Sequence, residues 1–139
     1  MTPESKSHYE VIVIGAGVAG IYQIKRLSDW GIDATVLEAA GNLGGTWYNN
    51  RYPGSRFDSE SYTYGYSFSK ELLDEWHWKE CFSGQPENLK YLNHVAAKFD
   101  LRKHMQFNCK VKAVHFDETC QRWRLFIDDG RELTCHFMI

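Results

Sequence analysis

The sequence predicts an α/β fold, in which a parallel sheet begun by a βαβ unit is continued by an antiparallel β-meander. Three observations carry this reading. A short run rich in β-branched residues, YEVIVI, ends abruptly in the glycine-rich turn GAGVAG. A helical period follows at once, and a second apolar run, ATVL, comes before residue 38. Beyond residue 106 the apolar period shifts towards two, and Asp129-Gly130 is a hairpin turn signal.

Each element has its own reason. Residues 9–14 are short, apolar and β-branched, which suits a buried strand. Val18, Ile21, Ile24 and Leu27 recur every third position, one face of a helix that Gly31 stops. Residues 34–37 form the second strand, and a right-handed crossover makes the two strands parallel. Residues 39–68 have no period and read as a long ordered loop, with short helical turns over 70–79. Pro86 suits the first turn of a firmer helix whose stripe is Leu89, Leu92, Val95, Ala96 and Phe99, ending near Asp100. From Gln106, alternation through Phe107, Cys109, Val111, Ala113 and Phe116 predicts one strand. Trp123, Leu125 and Ile127 predict a second, and residues 133–139 a third that looks buried to its end. The chain stops on that strand without a cap or polar tail, so the expectation is an incomplete domain.

Composition narrows the function. A chain of 139 residues holds one domain with a modest core. A net charge of -2 without a Lys/Arg cluster gives no footprint for nucleic acid or a membrane surface. The four cysteines, at 81, 109, 120 and 135, form no CxxC, and no histidine pair has ligand spacing. No metal site is expected, and the thiols read as reduced residues in or near a core. The polar start MTPESKSHYE lacks a basic region and a cleavage site, so a cytoplasmic protein is expected.

The sharpest local signal is Gly15-Ala16-Gly17-Val18-Ala19-Gly20, a GxGxxG set between a strand and a helix. Gly15 permits the tight turn, Gly17 admits a pyrophosphate against the backbone, and Gly20 lets helix pack on strand. Unpaired N–H groups and the positive end of the helix dipole favour phosphate there. Glu38, at the tip of the second strand, has the place of a carboxylate that accepts both ribose hydroxyls of an adenosine and repels a 2′-phosphate. This Rossmann-like fingerprint leaves FAD and NAD both open.

The next segment is more specific. Residues 44–58, GGTWYNNRYPGSRFD, fit the pattern GGxWxxxRYPGxxxD throughout. This resembles the Baeyer–Villiger monooxygenases, the FAD- and NADPH-dependent enzymes that turn ketones into esters or lactones. The resemblance runs on through Glu60, Tyr64, Tyr66-Ser67-Phe68, Gln85-Pro86-Glu87 and residues 98–102, covering essentially the whole chain. It looks nearest to the phenylacetone, cyclohexanone and steroid monooxygenases.

The resemblance implies that residues 1–139 are the N-terminal part of an FAD-binding domain. Gly44 and Gly45 would let backbone N–H groups approach the extended cofactor, with Thr46 beside them. Trp47 and Tyr48 would offer flat faces to the isoalloxazine. Arg56, Tyr64 and the backbone at Val111 would belong to the same FAD site, and Asp58 would stand near flavin and nicotinamide. Family members are several times longer and carry a second fingerprint for NADPH, a histidine-containing signature and a catalytic arginine, none of which this sequence contains. The expectation is therefore no catalytic residue in this chain, no NADPH-binding domain, and no turnover by the chain alone. The full-length protein would insert one atom of O2 into a ketone. Two alternatives stay open: a flavin monooxygenase acting on nitrogen or sulfur, and a non-catalytic truncated FAD-binding module.

Overall fold

The computed structural model describes residues 6–139, so the polar start of the chain, residues 1–5, lies outside the described residues. Strand β1 (His8–Ile14) runs into helix α1 (Val18–Asp29), and β2 (Ala34–Leu37) returns parallel to β1 with Val11 opposite Ala34 and Ile14 opposite Leu37. Ile21, Ile24 and Leu27 of α1 are buried against the sheet, as their spacing predicts. Trp30 caps the helix, and Gly31 turns the chain at φ 68, a conformation that glycine adopts without a Cβ penalty.

The segment expected to be a long ordered loop holds two single-turn helices, α2 (Thr46–Asn49) and α3 (Ser61–Tyr64). Helix α4 (Lys70–Glu75) begins at Ser69, whose side chain accepts a hydrogen bond from the Leu72 N–H, and ends at Trp76, earlier than the sequence suggested. Helix α5 (Gln85–Lys98) carries Pro86 in its first turn and buries Leu92, Val95 and Ala96. It also buries Tyr91 and Asn88, which the apolar stripe did not include.

The continuous strand expected from Gln106 to Phe116 is two strands. Strand β3 (Met105–Gln106) pairs parallel with β2, and β4 (Val111–Asp117) pairs antiparallel with β5 (Arg122–Ile127). Between them Asn108 takes φ 52, its N–H donates to Ala40, and the Cys109 N–H donates to Glu38. Strand β6 (Glu132–Met138) pairs antiparallel with β5 and parallel with β1. The result is one mixed sheet in the order β3-β2-β1-β6-β5-β4.

Side chains of the sheet divide between two apolar clusters. Val11, Val13 and Val36 pack with α1 and α5, and Ile12 and Leu37 pack with Leu125, Leu133 and Cys135. The last strand is less covered than its composition suggests, because Phe137 and Ile139 are exposed. Cys109 and Cys135 are buried thiols, and burial pushes both above the ordinary thiol pKa. Cys81 and Cys120 are exposed, not in the core. Among the described residues no helix is long and apolar enough to cross a membrane, and no cluster of His, Cys, Asp or Glu is placed to hold a metal.

Candidate functional site

The turn between β1 and α1 opens onto a cavity of ≈ 370 Å³. Gly15, Gly17 and Gly20 line one side, and Gly45, Thr46, Trp47 and Tyr64 line the other. Gly15 takes φ 96 and donates its N–H to the Leu37 carbonyl at 2.8 Å, which ties the turn to the end of β2. The first backbone hydrogen bond into α1 is given by the Ile21 N–H to the Gly17 carbonyl at 2.9 Å. The N–H groups of Val18, Ala19 and Gly20 precede it, and among the described residues no side chain caps the helix. A positive helix end therefore faces a cavity whose lining includes no lysine or arginine.

The three fingerprint glycines serve different ends. A Cβ on Gly20 would stand 1.9 Å from the Gly15 carbonyl oxygen, so this glycine is required by the packing of helix on turn. Gly15 is required by its φ. Gly17 is required by neither: it has φ -80, and a Cβ would meet only the Gly45 Cα, at 3.7 Å. The space in front of Gly17 opens into the cavity. A diphosphate resting on the bare N–H groups fits that space, which makes the residues present a suitable seat for the pyrophosphate of a dinucleotide.

Glu38 is buried beneath this turn. Its Oε2 accepts from the Ala16 N–H at 2.7 Å and its Oε1 from the Ala40 N–H at 2.8 Å. The carboxylate thus holds the fingerprint turn and the start of the next loop together. Each carboxylate oxygen has a further lone pair, so the capacity to accept ribose hydroxyls is retained.

The second loop is closed onto the first. The Gly44 N–H donates to the Ala16 carbonyl at 2.8 Å, so it is committed to the protein and not to the cavity, contrary to the expectation for that group. A Cβ on Gly45 would lie 2.9 Å from the Gly17 Cα, so close approach of two glycines sets the cavity floor. Trp47 is buried, not displayed as a flat face: its ring meets Phe57 edge-on at 5.0 Å, and its Nε1 donates to the Tyr64 hydroxyl at 3.0 Å. Tyr48 is half-buried under the Arg51 guanidinium and does not line the cavity.

The remaining residues named by the resemblance stand outside the cavity lining. Arg56 is exposed, pairs with Glu80 at 3.0 Å and donates to the Phe82 carbonyl, which fastens its loop to the segment before α5. Asp58 is exposed on the same loop. Val111 opens β4 opposite Ile127 and packs against the second apolar cluster. Two features were not anticipated by residue type. Ile14, Val18 and Ala19 also line the cavity, as the unspecified positions of the glycine pattern would allow. Tyr66 donates its hydroxyl to the Val18 carbonyl at 2.6 Å, and burial raises its pKa far above the ordinary phenol value, so it stays a donor.

Fold and site together define a Rossmann-like dinucleotide-binding unit, and the model of the NAD(P)-binding Rossmann-like domain family matches residues 13–76. The homologues at 35–45% identity are Baeyer–Villiger and related FAD-binding monooxygenases. The 2-oxo-Δ3-4,5,5-trimethylcyclopentenylacetyl-CoA monooxygenase of Pseudomonas putida is 45% identical over 130 residues, 94% of this chain and 24% of that protein. The phenazine N-monooxygenase of Lysobacter antibioticus is 38% identical, across 100% of this chain and 26% of its own length. The solved structure of the OTEMO complex with FAD and NADP matches with TM-score 0.89 at 44% identity, over 97% of this chain and 25% of that one. The chain spans about a quarter of the length of the curated relatives it matches.

Proposed function

We propose that this chain supplies the dinucleotide-facing part of an FAD site in an NADPH-dependent monooxygenase of Baeyer–Villiger type, whose substrates are a small ketone and O2. The observation that carries the reading is Gly17, a glycine that neither the backbone nor the packing needs, set before the uncapped end of α1. In this reading the N–H groups of α1 hold the pyrophosphate, and Glu38 accepts the adenosine ribose while keeping its bonds to Ala16 and Ala40. A carboxylate at that place disfavours a 2′-phosphate, so the site is assigned to FAD and not to NADPH. When bound, reduced FAD supplies the electrons that activate O2; the residues here bind and orient it. Arg56, Asp58 and Val111 keep their assignment to the wider FAD site on sequence resemblance alone.

Equilibrium dialysis of the purified chain against FAD tests the site. Retention of flavin supports the reading, and its absence from the folded protein would sink it. NADPH oxidation in the presence of FAD and a cyclic ketone is expected to stay at the level of free FAD, since these residues include no seat for NADPH beside the flavin. Oxygen transfer to nitrogen is the second reading, favoured by the similarity to the phenazine N-monooxygenase. A protein carrying this chain that oxygenates a heteroaromatic amine and leaves cyclic ketones untouched would select it.

A further inference from the structure

An unbroken series of aromatic rings leads away from the cavity. Trp47 and Tyr64, which line it, both contact Phe57, at 5.0 and 3.8 Å between centroids. Phe57 meets Trp78 at 5.6 Å, and Trp78 meets Trp76 at 5.8 Å and Tyr91 at 4.9 Å. Trp76 and Trp78 both line a surface cleft of ≈ 360 Å³ with His77 and Lys79. Two tryptophans, one at the cavity and one at the surface, are thus separated by a single phenyl ring. Among aromatic side chains, indole and phenol rings are the most readily oxidised by one electron.

We propose that Trp47 and Trp78, bridged by Phe57, carry a single oxidising equivalent from the cavity to the surface. This rests on the reading that the cavity holds FAD, whose photo-excited flavin ring is the oxidant considered. One electron passes from the Trp47 indole to the excited flavin, which is reduced by one electron, and Trp47 is left as a radical cation. Trp78 then returns an electron to Trp47 across Phe57. The Trp78 radical cation is strongly acidic and gives its indole N–H proton to water at its half-buried edge, leaving a neutral radical. A thiol in solution restores it by donating a hydrogen atom and becomes a thiyl radical.

Neighbouring groups direct the exit to Trp78. Trp76 Nε1 is buried without a hydrogen-bond partner among the described residues, so its proton has no acceptor. The Tyr91 hydroxyl is enclosed, accepts from the Tyr66 N–H, and is made harder to ionise by burial. Tyr66 points its hydroxyl at a backbone carbonyl, which cannot take a proton.

The test uses the chain with FAD, retention being read by equilibrium dialysis and fold by far-ultraviolet circular dichroism. Laser-flash absorption of the flavin-bound protein should show a neutral indole radical that outlives the excited flavin. Trp78→Phe should shorten the life of the charge-separated state by an order of magnitude or more, because the vacancy on Trp47 then has no second tryptophan to pass to. Trp78→Tyr, equally altered in packing but oxidisable, should keep it long. Bound flavin without an indole radical, an unchanged lifetime in W78F, or equal shortening in W78F and W78Y would overturn the route alone. Failure to retain FAD would overturn the cofactor reading and the route together.

Discussion

Gly17 and Gly20 are two residues of the same type, three positions apart, with opposite burdens. Gly20→Ala places a methyl group on the Gly15 carbonyl, a backbone atom that cannot move aside, and is expected to cost about 3 kcal/mol. Gly17→Ala meets only ordinary contact, so its cost is expected within about 1 kcal/mol, the scale of a changed N-cap. FAD retention should follow the reverse order, with G17A losing flavin while melting near the parent. Urea titrations and dialysis of the two variants check this, and a G17A protein that keeps its flavin would remove Gly17 from the binding account. Glu38→Gln puts an amide NH2 before one of two backbone donors, leaving one of them unsatisfied beneath the turn. The expected loss is about 2 kcal/mol, read as a lower urea midpoint at unchanged slope.

At the scale of elements, the informative question is how the long loop is held against α1 and α5. Two hydroxyls do much of this: Tyr66 bonds the Val18 carbonyl, and Tyr91 accepts from the Tyr66 N–H. The buried side chains of Ser61 and Asn88 add bonds to backbone groups of residues 80–83, and the Ser83 hydroxyl donates to Glu87. Tyr66→Phe removes one bond while keeping the ring, and should destabilise by about 1 kcal/mol in chemical denaturation. No change would mean that the hydroxyl contributes nothing to docking the loop. Pattern reading found the first three elements because α1 and the two parallel strands each keep one period. It joined β3 to β4 because Phe107, Cys109 and Val111 alternate in sequence, although Phe107 packs with one apolar cluster and Cys109 with the other. Alternation records that both side chains are covered and carries no information about which layer covers them. The helical turns α2 and α3 were invisible for a related reason. At 4 residues each they span little more than one turn, too short to repeat a helical period; the Gln85 side chain donates to the Trp47 carbonyl of α2, and the Ser61 N–H of α3 donates to the Cys81 carbonyl.

For the molecule as a whole, acid should destabilise steadily, because His8 and the four shifted carboxylates Glu75, Asp117, Asp129 and Glu132 are all lowered. His8 is held below its ordinary 6.5 by burial and by the nearby Arg122 and His136, so the folded state binds that proton less readily than the unfolded chain. Stability from this group is complete at neutral pH and falls as the pH drops through 6.5. Glu75 is lowered by its bonds to Lys98 and His94, and Glu132 by Arg124. Asp117 and Asp129 are lowered chiefly by the backbone N–H groups of Thr119 and Arg131. Their contributions are present above the ordinary values of 4.5 and 3.8 and are lost as the pH falls through the lower folded values. Thermal melts from neutral to strongly acidic pH should therefore show Tm declining in two stages, and His8→Gln should flatten the upper one. A Tm that rises as the pH falls below 6.5 would contradict this balance.

The amino-acid sequence by itself determined the βαβ unit, the glycine turn, the acid after β2 and the likeness of the 44–58 loop to a flavin-enzyme motif, because each depends on local period or residue type. Only the tertiary structure decided what those residues do there. It turned Glu38 inward onto two backbone N–H groups, buried Trp47 edge-on to Phe57, and took Arg56 to Glu80. It also separated the glycine needed by the packing, Gly20, from Gly17, which neither backbone nor packing requires. Such distinctions rest on distances between segments far apart in the chain, which no local pattern records.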